Sequence, residues 1–531
     1  MTAAGLSGLH QTAPTATRTP DVTVVVAVYN AMPYLTRCLD SLLTQSIGSD
    51  RMEIVAVDDG STDSGARVLA RYARRHPRVV RTVRQPNSGG PASPSNRALD
   101  LARGRYVFFL GADDYLGPDA LRRLVGAADE QHADIVLGRV IGVNGRNVDQ
   151  QVYEHDKRDI SLFDSPLPWA LANTKLFRRS LIETHRLRFP EDMPMLSDQP
   201  FTLDAALHAG RIHVLPDYDC YFAVRRLANT NITYRTRQAT ALRCVTRLME
   251  FTATRIEPGP RRDAVHLRHF SWEVANLLRK DFLRLGRDAQ HEIHEGVRTL
   301  ADRYLTGAIR GRLDVAARLP VSVAQNRDLD TLTNLLRRWS EEPAPLVVGG
   351  PDKWRAAYAG LGEPGLALPD EWFDVTAELA AWVARLKVTS VRWRRADGQV
   401  ALTLSARSTA PADAAARADS VRLGIARTTA GPTVVTPDAD GFTAEVAIPL
   451  DAIVASSPEL GSLRAVQATV VTAEGSGAAA VRLDGVPLPR RRWRRVGRRL
   501  ALVRPVRTAG GTLAVAVSPL SLRRLMRRLR R

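Results

Sequence analysis

The amino-acid sequence predicts a mixed α/β protein whose first part is a doubly wound parallel sheet. Three observations carry that expectation. Between residues 22 and 116, short apolar runs rich in β-branched residues alternate with segments whose apolar residues recur at helical spacing. The runs stop at polar turns, three of which hold the pairs Tyr29-Asn30, Asp58-Asp59 and Asp113-Asp114. The connections are long enough for a helix to carry the chain back along the sheet, which is how parallel neighbours are joined.

The elements follow in order. The run 22–30 (VTVVVAVYN) reads as a buried parallel strand, and 32–45 as a helix with Leu35, Leu39, Leu42 and Leu43 on its apolar side. A second strand over 53–57 ends in DDGSTD and opens a helix over 64–76. A third strand spans 79–83. After a glycine-rich loop and a helix over 94–102, a fourth strand spans 105–110 and ends in GADD. Sheets of this kind bind ligands at the carboxyl ends of their strands, where all three polar pairs fall.

Length and composition bound the rest. A chain of 531 residues has room for about two to four domains. Its 44% hydrophobic and 25% charged residues are ordinary for a globular protein and exclude a disordered chain. No apolar stretch approaches the roughly 20 residues that span a bilayer. Residues 1–20, rich in Thr, Ala and Pro, lack the basic and apolar regions of a secretory signal and are expected to be a disordered leader. Cys38, Cys220 and Cys244 have no paired or metal spacing and suit a reducing cytoplasm. The net charge of +19 is concentrated: fifteen arginines and no acid lie from Arg490 to the end, and the rest of the chain carries +4. Nucleic-acid binding by the whole chain is not implied.

Four stretches, VAVYN (26–30), VDDGSTD (57–63), NSGGP (87–91) and FLGADDYL (109–116), together resemble the family 2 inverting glycosyltransferases of the GT-A fold. The resemblance implies an enzyme that uses a UDP-sugar donor with Mn²⁺ or Mg²⁺. Tyr29 would flank the base, and Asp59 would accept the N3–H of uracil. Asn87 and Gly90 would bring the backbone close to the ligand. Asp113 and Asp114 would hold the metal, as hard oxygen ligands suit these ions. Asp198 matches the residue that takes the acceptor proton. Arg225 and Arg226 would face the diphosphate or an anionic acceptor, since Arg forks fit phosphate. The plainer readings are Asp59 and Asp198 as residues of helix starts, Asp113-Asp114 as a turn and Arg225-Arg226 as a solvated pair; Asp63 reads as a capping residue alone. His208 and His213 read as structural. Three positions depart from the family pattern, with Ser95 for an Arg, Gly111 for the first Asp of the metal motif and Ser197 for a Glu.

Beyond this module the texture changes twice. Residues 236–345 show helical spacing broken by Pro258-Gly259-Pro260 and read as a helical linker domain. Residues 375–487 alternate with a period of two and read as a C-terminal β-sandwich. A GT-A domain over 21–235, the linker and the β-domain resemble the arrangement of teichoic-acid glycosyltransferases. That implies a cell-envelope polymer acceptor, polyol-phosphate or capsular, and a homo-oligomer. Residues 490–531 read as a basic tail, with Leu522, Leu525, Met526 and Leu529 on one helical face, suited to an anionic membrane surface. Capture of a polyphosphate acceptor is the second reading of the tail and nucleic acid the third. The expected location is the cytoplasmic face of the cell membrane. A catalytically impaired, glycosyltransferase-like scaffold is the competing class, favoured by Gly111 and Ser95.

Overall fold

The structure, a computed structural model, describes residues 19–519 except 156–157, 227–237, 280, 342–345, 349–352, 397–398, 426–431, 440, 456–461, 474, 497–498 and 509–510. The chain divides into two compact units. One runs up to Leu278 and takes in Gly286–Arg310; the other comprises Arg279–Leu285 and the described chain from Gly311 onward.

The first unit is built on β1 (Val22–Val28), β2 (Met52–Asp59), β3 (Val80–Gln85) and β4 (Tyr106–Phe109), all parallel in the order β3-β2-β1-β4. The helices α1 (Leu35–Leu43), α2 (Gly65–Arg75) and α3 (Ala92–Leu99) are the crossovers. Every residue of β2 and all but Ala27 of β1 are buried, as strands covered on both faces must be. The chain reverses direction across the sheet between β1 and β4, and this switch point opens a crevice at the strand ends.

Past β4 the sheet is no longer purely parallel, in contrast to the doubly wound expectation. It continues with β5 (Tyr115–Leu116), β6 (Ile135–Val143), β7 (Asp159–Ile160), β8 (Leu176–Arg178) and β9 (Ile212–Val224). The full order is β3-β2-β1-β4-β8-β6-β9-β5, with β7 on β9. The three-residue β8 runs antiparallel between β4 and β6, and β5 and β7 run antiparallel to β9. Helices α4 (Ala120–Glu130), α5 (Gln151–Glu154), α6 (Arg179–Thr184) and α7 (Asp198–His208) complete this part. Phe109 of β4 meets Phe189 and Phe201 edge-on at 5.1 and 5.4 Å, and Phe189 stacks on Phe201 at 4.2 Å. Such ring contacts add to area burial. They lock α7, and hence its first residue Asp198, to the strand that leads into Asp113.

Helix α8 (Gln238–Arg255) packs on α7. The expected break at 258–260 is present: Gly259 has φ 141° and Pro260 opens the next helix, Pro260–His269. That helix passes into a π-helical turn, Phe270–Val274.

The second unit holds the helices Val315–Asn326 and Leu329–Glu341, a small antiparallel pair, Leu346–Val348 with Trp354–Ala356, and two larger antiparallel sheets. One sheet orders Leu386–Ala396, Gln399–Ser408, Gly441–Pro449 and Val434–Asp438. The other orders Ser420–Ile425, Ser462–Thr472, Leu513–Pro519, Arg499–Arg507 and Arg492–Val496, with Gly475–Ala480 beside Ser462–Thr472. The basic tail expected from residue 490 is thus, as far as Pro519, three strands of a sheet. Ala501, Val503, Val515 and Val517 are buried there, and this apolar alternation is what the arginines conceal. The amphipathic helix expected over 521–531 lies outside the described residues, as do residues 1–18 of the expected leader. Pro20 is buried and its carbonyl accepts the Arg105 N–H at 3.0 Å.

Candidate active site

The ends of β1, β2, β4 and β9 supply the first half of the site. Asp59, buried at the end of β2, accepts from Gln85 Nε2 at 2.8 Å, from the Ser88 N–H at 3.1 Å and from the Ser88 hydroxyl at 2.9 Å. The Asn87 amide donates to the Asp59 carbonyl at 3.0 Å. Asp59 therefore anchors the 87–90 loop. Gly90 fits tightly: a Cβ there would stand 2.8 Å from the Cα of Pro194, so this loop touches the segment leading to Asp198. Tyr29 at the end of β1 is 45% exposed and presents its ring to solvent. Asp63 has the capping role assigned to it, accepting from the N–H groups of Gly65 at 2.8 Å and Met32 at 2.9 Å.

Ser95 is buried inside α3 and Arg97 is exposed, so this helix offers no cation to the strand ends. Cations come from elsewhere. Arg84 Nε lies 3.2 Å from Asp58 Oδ2. Arg226 Nε donates to Asp113 Oδ2 at 2.9 Å and its Nη1 to the Asn30 carbonyl at 3.1 Å, tying β9 to the ends of β4 and β1. The two marked arginines part here: Arg225 is held by its backbone, its N–H donating to Val143 at 3.1 Å and its carbonyl accepting from Asn144 at 3.2 Å.

Asp113 and Asp114 part as well. Asp114 is buried, its Oδ2 taking the Tyr221 hydroxyl at 2.5 Å and its Oδ1 the Val224 N–H at 2.6 Å. Burial, then the neighbouring Asp113 charge, pushes its carboxyl up to about 7, against Arg146 and the two donors. Both Asp114 oxygens are thus engaged by β9, one by Tyr221 and one by Val224, whereas Asp113 meets Arg226. The same geometry accounts for Gly111: a Cβ there would stand 2.6 Å from Asp114 Oδ2 and 3.2 Å from the Tyr221 hydroxyl. The Asp114 carboxylate fills the space a side chain at 111 would need. Among the described residues no cluster of three or more His, Cys, Asp or Glu side chains is arranged to hold a metal ion.

The second half of the site lies at the start of α7. Asp198 is its first residue and is half-buried. Burial raises its carboxyl above the usual range; its own N–H, Lys175 and Arg146 oppose the shift, and Glu273 adds to it. Lys175 is buried with its ammonium on the carbonyls of Ala170 and Ala172, and burial brings it down to about 7 against the pull of Asp198. Arg146 Nη1 lies 4.0 Å from Asp114 Oδ1 and donates to the Val224 carbonyl at 3.2 Å, so one guanidinium acts on both Asp114 and Asp198. Lys175, Arg146, Arg84 and Tyr221 carry no motif. Lys175 alone had a signal, as a cation inside the apolar 169–177 stretch.

A mixed sheet with a β3-β2-β1-β4 parallel core, acidic strand ends and a facing arginine defines a GT-A-like domain. Residues 23–187 match the sequence family described as "Glycosyl transferase family 2", and residues 239–336 the "Glycosyl transferase TarS linker domain". The chain therefore carries a family 2 glycosyltransferase domain followed by a TarS linker domain. It is 39% identical over 205 residues to the poly(ribitol-phosphate) beta-glucosyltransferase of Bacillus spizizenii, covering 39% of this chain and 32% of that protein. It is 36% identical over 203 residues to the poly(ribitol-phosphate) beta-N-acetylglucosaminyltransferase TarS of Staphylococcus aureus, covering 38% and 35%. The matched stretch is thus about a third of the length of these relatives. Among solved structures, S. aureus TarS 1-349 in complex with UDP-GlcNAc superposes with a TM-score of 0.54 at 25% identity, covering 65% of this chain and 98% of that one. S. aureus TarS superposes over 95% of this chain and 86% of its own with a TM-score of 0.55 at 20% identity, a likeness of fold.

Proposed function

We propose that this chain is an inverting glycosyltransferase that moves a sugar from a UDP-sugar to a polyol-phosphate polymer of the cell envelope. The observation that carries the reading is the gathering of Asp59 with the 87–90 loop, the Asp113–Arg226 pair and the helix-start carboxylate Asp198 in the unit that holds the family 2 match. The relatives that act on poly(ribitol phosphate) support the acceptor class. The donor would lie across the strand ends, its base beside Tyr29 and Asp59 and its diphosphate against Arg226. Asp113 fits a divalent cation as a single hard carboxylate ligand completed by phosphate oxygens and water, and Asp114 does not fit. When bound, Mn²⁺ or Mg²⁺ would neutralise the departing UDP. Asp198 takes the proton of the acceptor hydroxyl; its raised pKa makes it a stronger base than an exposed Asp. Lys175, brought down to about 7 by burial, is only a partial counter-charge to that carboxylate, and Arg146 is the permanent one.

Calorimetric titration of UDP, with and without Mn²⁺, tests the donor site. Metal-dependent binding that Asp113→Ala removes is the expected result. Absence of binding under both conditions would favour the scaffold reading, to which Gly111 and Ser95 point. Asp198→Asn tests the base: UDP binding stays and transfer falls by about 10²–10⁴. Two further expectations belong here. Residues 521–531 would dock the protein on the anionic inner face of the membrane, and deletion after Pro519 should release it from phosphatidylglycerol vesicles. No helix among the described residues is long and apolar enough to cross a membrane. The strand-rich C-terminal region would carry a homo-oligomer, read by light scattering of the full chain.

A further inference from the structure

Behind Asp198 lies a buried charged cluster that the reaction as described does not use. Gln199, the next residue of α7, donates from Nε2 to Glu273 Oε1 at 2.9 Å, and its amide orientation follows from the carboxylate, which only accepts. The other Glu273 oxygen takes the Arg268 guanidinium and lies 3.6 Å from His269 Nδ1. Both Glu273 and Gln199 are buried. Burial works against the Glu273 charge, but the Arg268 guanidinium overcomes it and the carboxyl lies at about 2, so it stays ionised. Burial keeps His269 and His266 below their ordinary range, so both are neutral at physiological pH. Glu273 sits in the π-helical turn Phe270–Val274, inside the stretch that matches the TarS linker domain. Such turns are rare, cost helix regularity and frequently mark functional positions.

We propose that Glu273 is a positioning residue for the base: through Gln199 the linker's π-helical turn fixes the first turn of α7 and sets a buried negative charge behind Asp198. The inference rests on Asp198 being the base. A purely structural Arg268–Glu273 pair would have no need of a contact to the residue beside Asp198. The charged groups acting on Asp198 are Lys175 from the 169–177 segment, Arg146 from the segment after β6, and Glu273 from the linker. Of these, Glu273 is the one that opposes ionisation. Removing it leaves Lys175 and Arg146 to favour the carboxylate.

Glu273→Gln keeps an acceptor for Gln199 and deletes the charge, so it separates electrostatics from shape. With UDP-glucose or UDP-N-acetylglucosamine and poly(ribitol phosphate) as substrates, the acid limb of the kcat/KM profile should move to lower pH by at least half a unit. UDP affinity should be unchanged. An acid limb that stays in place overturns the proposal. Should Glu273→Gln not fold, Gln199→Leu leaves the Arg268–Glu273 pair intact and cuts only the link. It should lower kcat at least tenfold with donor KM unchanged, and a kcat near that of the parent overturns the proposal. Asp198→Asn is measured alongside. If that variant retains transfer, the assignment of the base has failed; if it is inactive while the acid limb of Glu273→Gln stays in place, only this inference has failed.

Discussion

Gly111→Ala is the most direct probe of how the metal-motif departure is built. The new Cβ would meet Asp114 Oδ2 at 2.6 Å and the Tyr221 hydroxyl at 3.2 Å. Neither neighbour has room to retreat, because Asp114 is held by Tyr221 at 2.5 Å and by the Val224 N–H at 2.6 Å in a buried position. Relief therefore means breaking one hydrogen bond to a charged group, about 1.5–3 kcal/mol. Overpacking strain adds about 1–3 kcal/mol. Gly→Ala at a tolerant backbone position instead stabilises by about 0.4–1 kcal/mol. The expected net loss is about 2–5 kcal/mol, localised to β4, β5 and β9. Hydrogen exchange in increasing urea, read on peptides covering 106–116 and 212–224, measures it without assuming that the two units unfold together. The double variant Gly111→Ala/Asp114→Ala removes the obstructing oxygen, so the two changes should couple by more than about 1 kcal/mol in a double-mutant cycle. Unchanged or increased protection in Gly111→Ala would show that Asp114 does not occupy the space beside position 111.

Three other outcomes follow from the same geometry. Gly90→Ala places a Cβ 2.8 Å from the Pro194 Cα, so it should raise the acceptor KM more than the donor KM, read by steady-state kinetics with each substrate varied. Phe201→Ala removes the ring packed on Phe109, Phe177 and Phe189 and should cost about 3–5 kcal/mol, measured by the same exchange method on α7. For pH dependence, the base must be ionised to act, and burial raises the Asp198 carboxyl above the ordinary value of about 3.9. Transfer should therefore fall as pH drops through a pKa above that value, and an acid limb centred at or below 4 would contradict the burial of Asp198.

The parallel core was legible because burial on both faces writes a continuous β-branched run, as in VTVVVAV of β1 and EIVAV of β2. The polar pairs at the strand ends followed from topology alone. What was not legible is the remainder of the sheet: β5, β7 and β8 are two or three residues long, too short for any period to show. The direction in which Asp113 and Asp114 turn was also hidden, since it is set by Tyr221 and Val224 more than a hundred residues away. Glu273 and Arg146 also reach the site from other segments of the chain, 74 residues from Gln199 in the case of Glu273. The strands after residue 490 were obscured because the arginines clustered over 490–499 read as a charge run, although Ala501 and Val503 just beyond them lie buried.

Those arginines have a consequence of their own. The strand Arg492–Val496 forms one border of its sheet, and Arg491, Arg492, Arg494 and Arg495 are all exposed along it. A border strand offers unpaired backbone donors and acceptors to any passing chain, a template for runaway stacking. Here a second copy approaching in register would set guanidinium against guanidinium, and like charges facing across a strand pair are repelled. This border is in effect fenced against its own kind: a second copy meets repulsion along it, and a partner strand bearing negative charge lowers the fence.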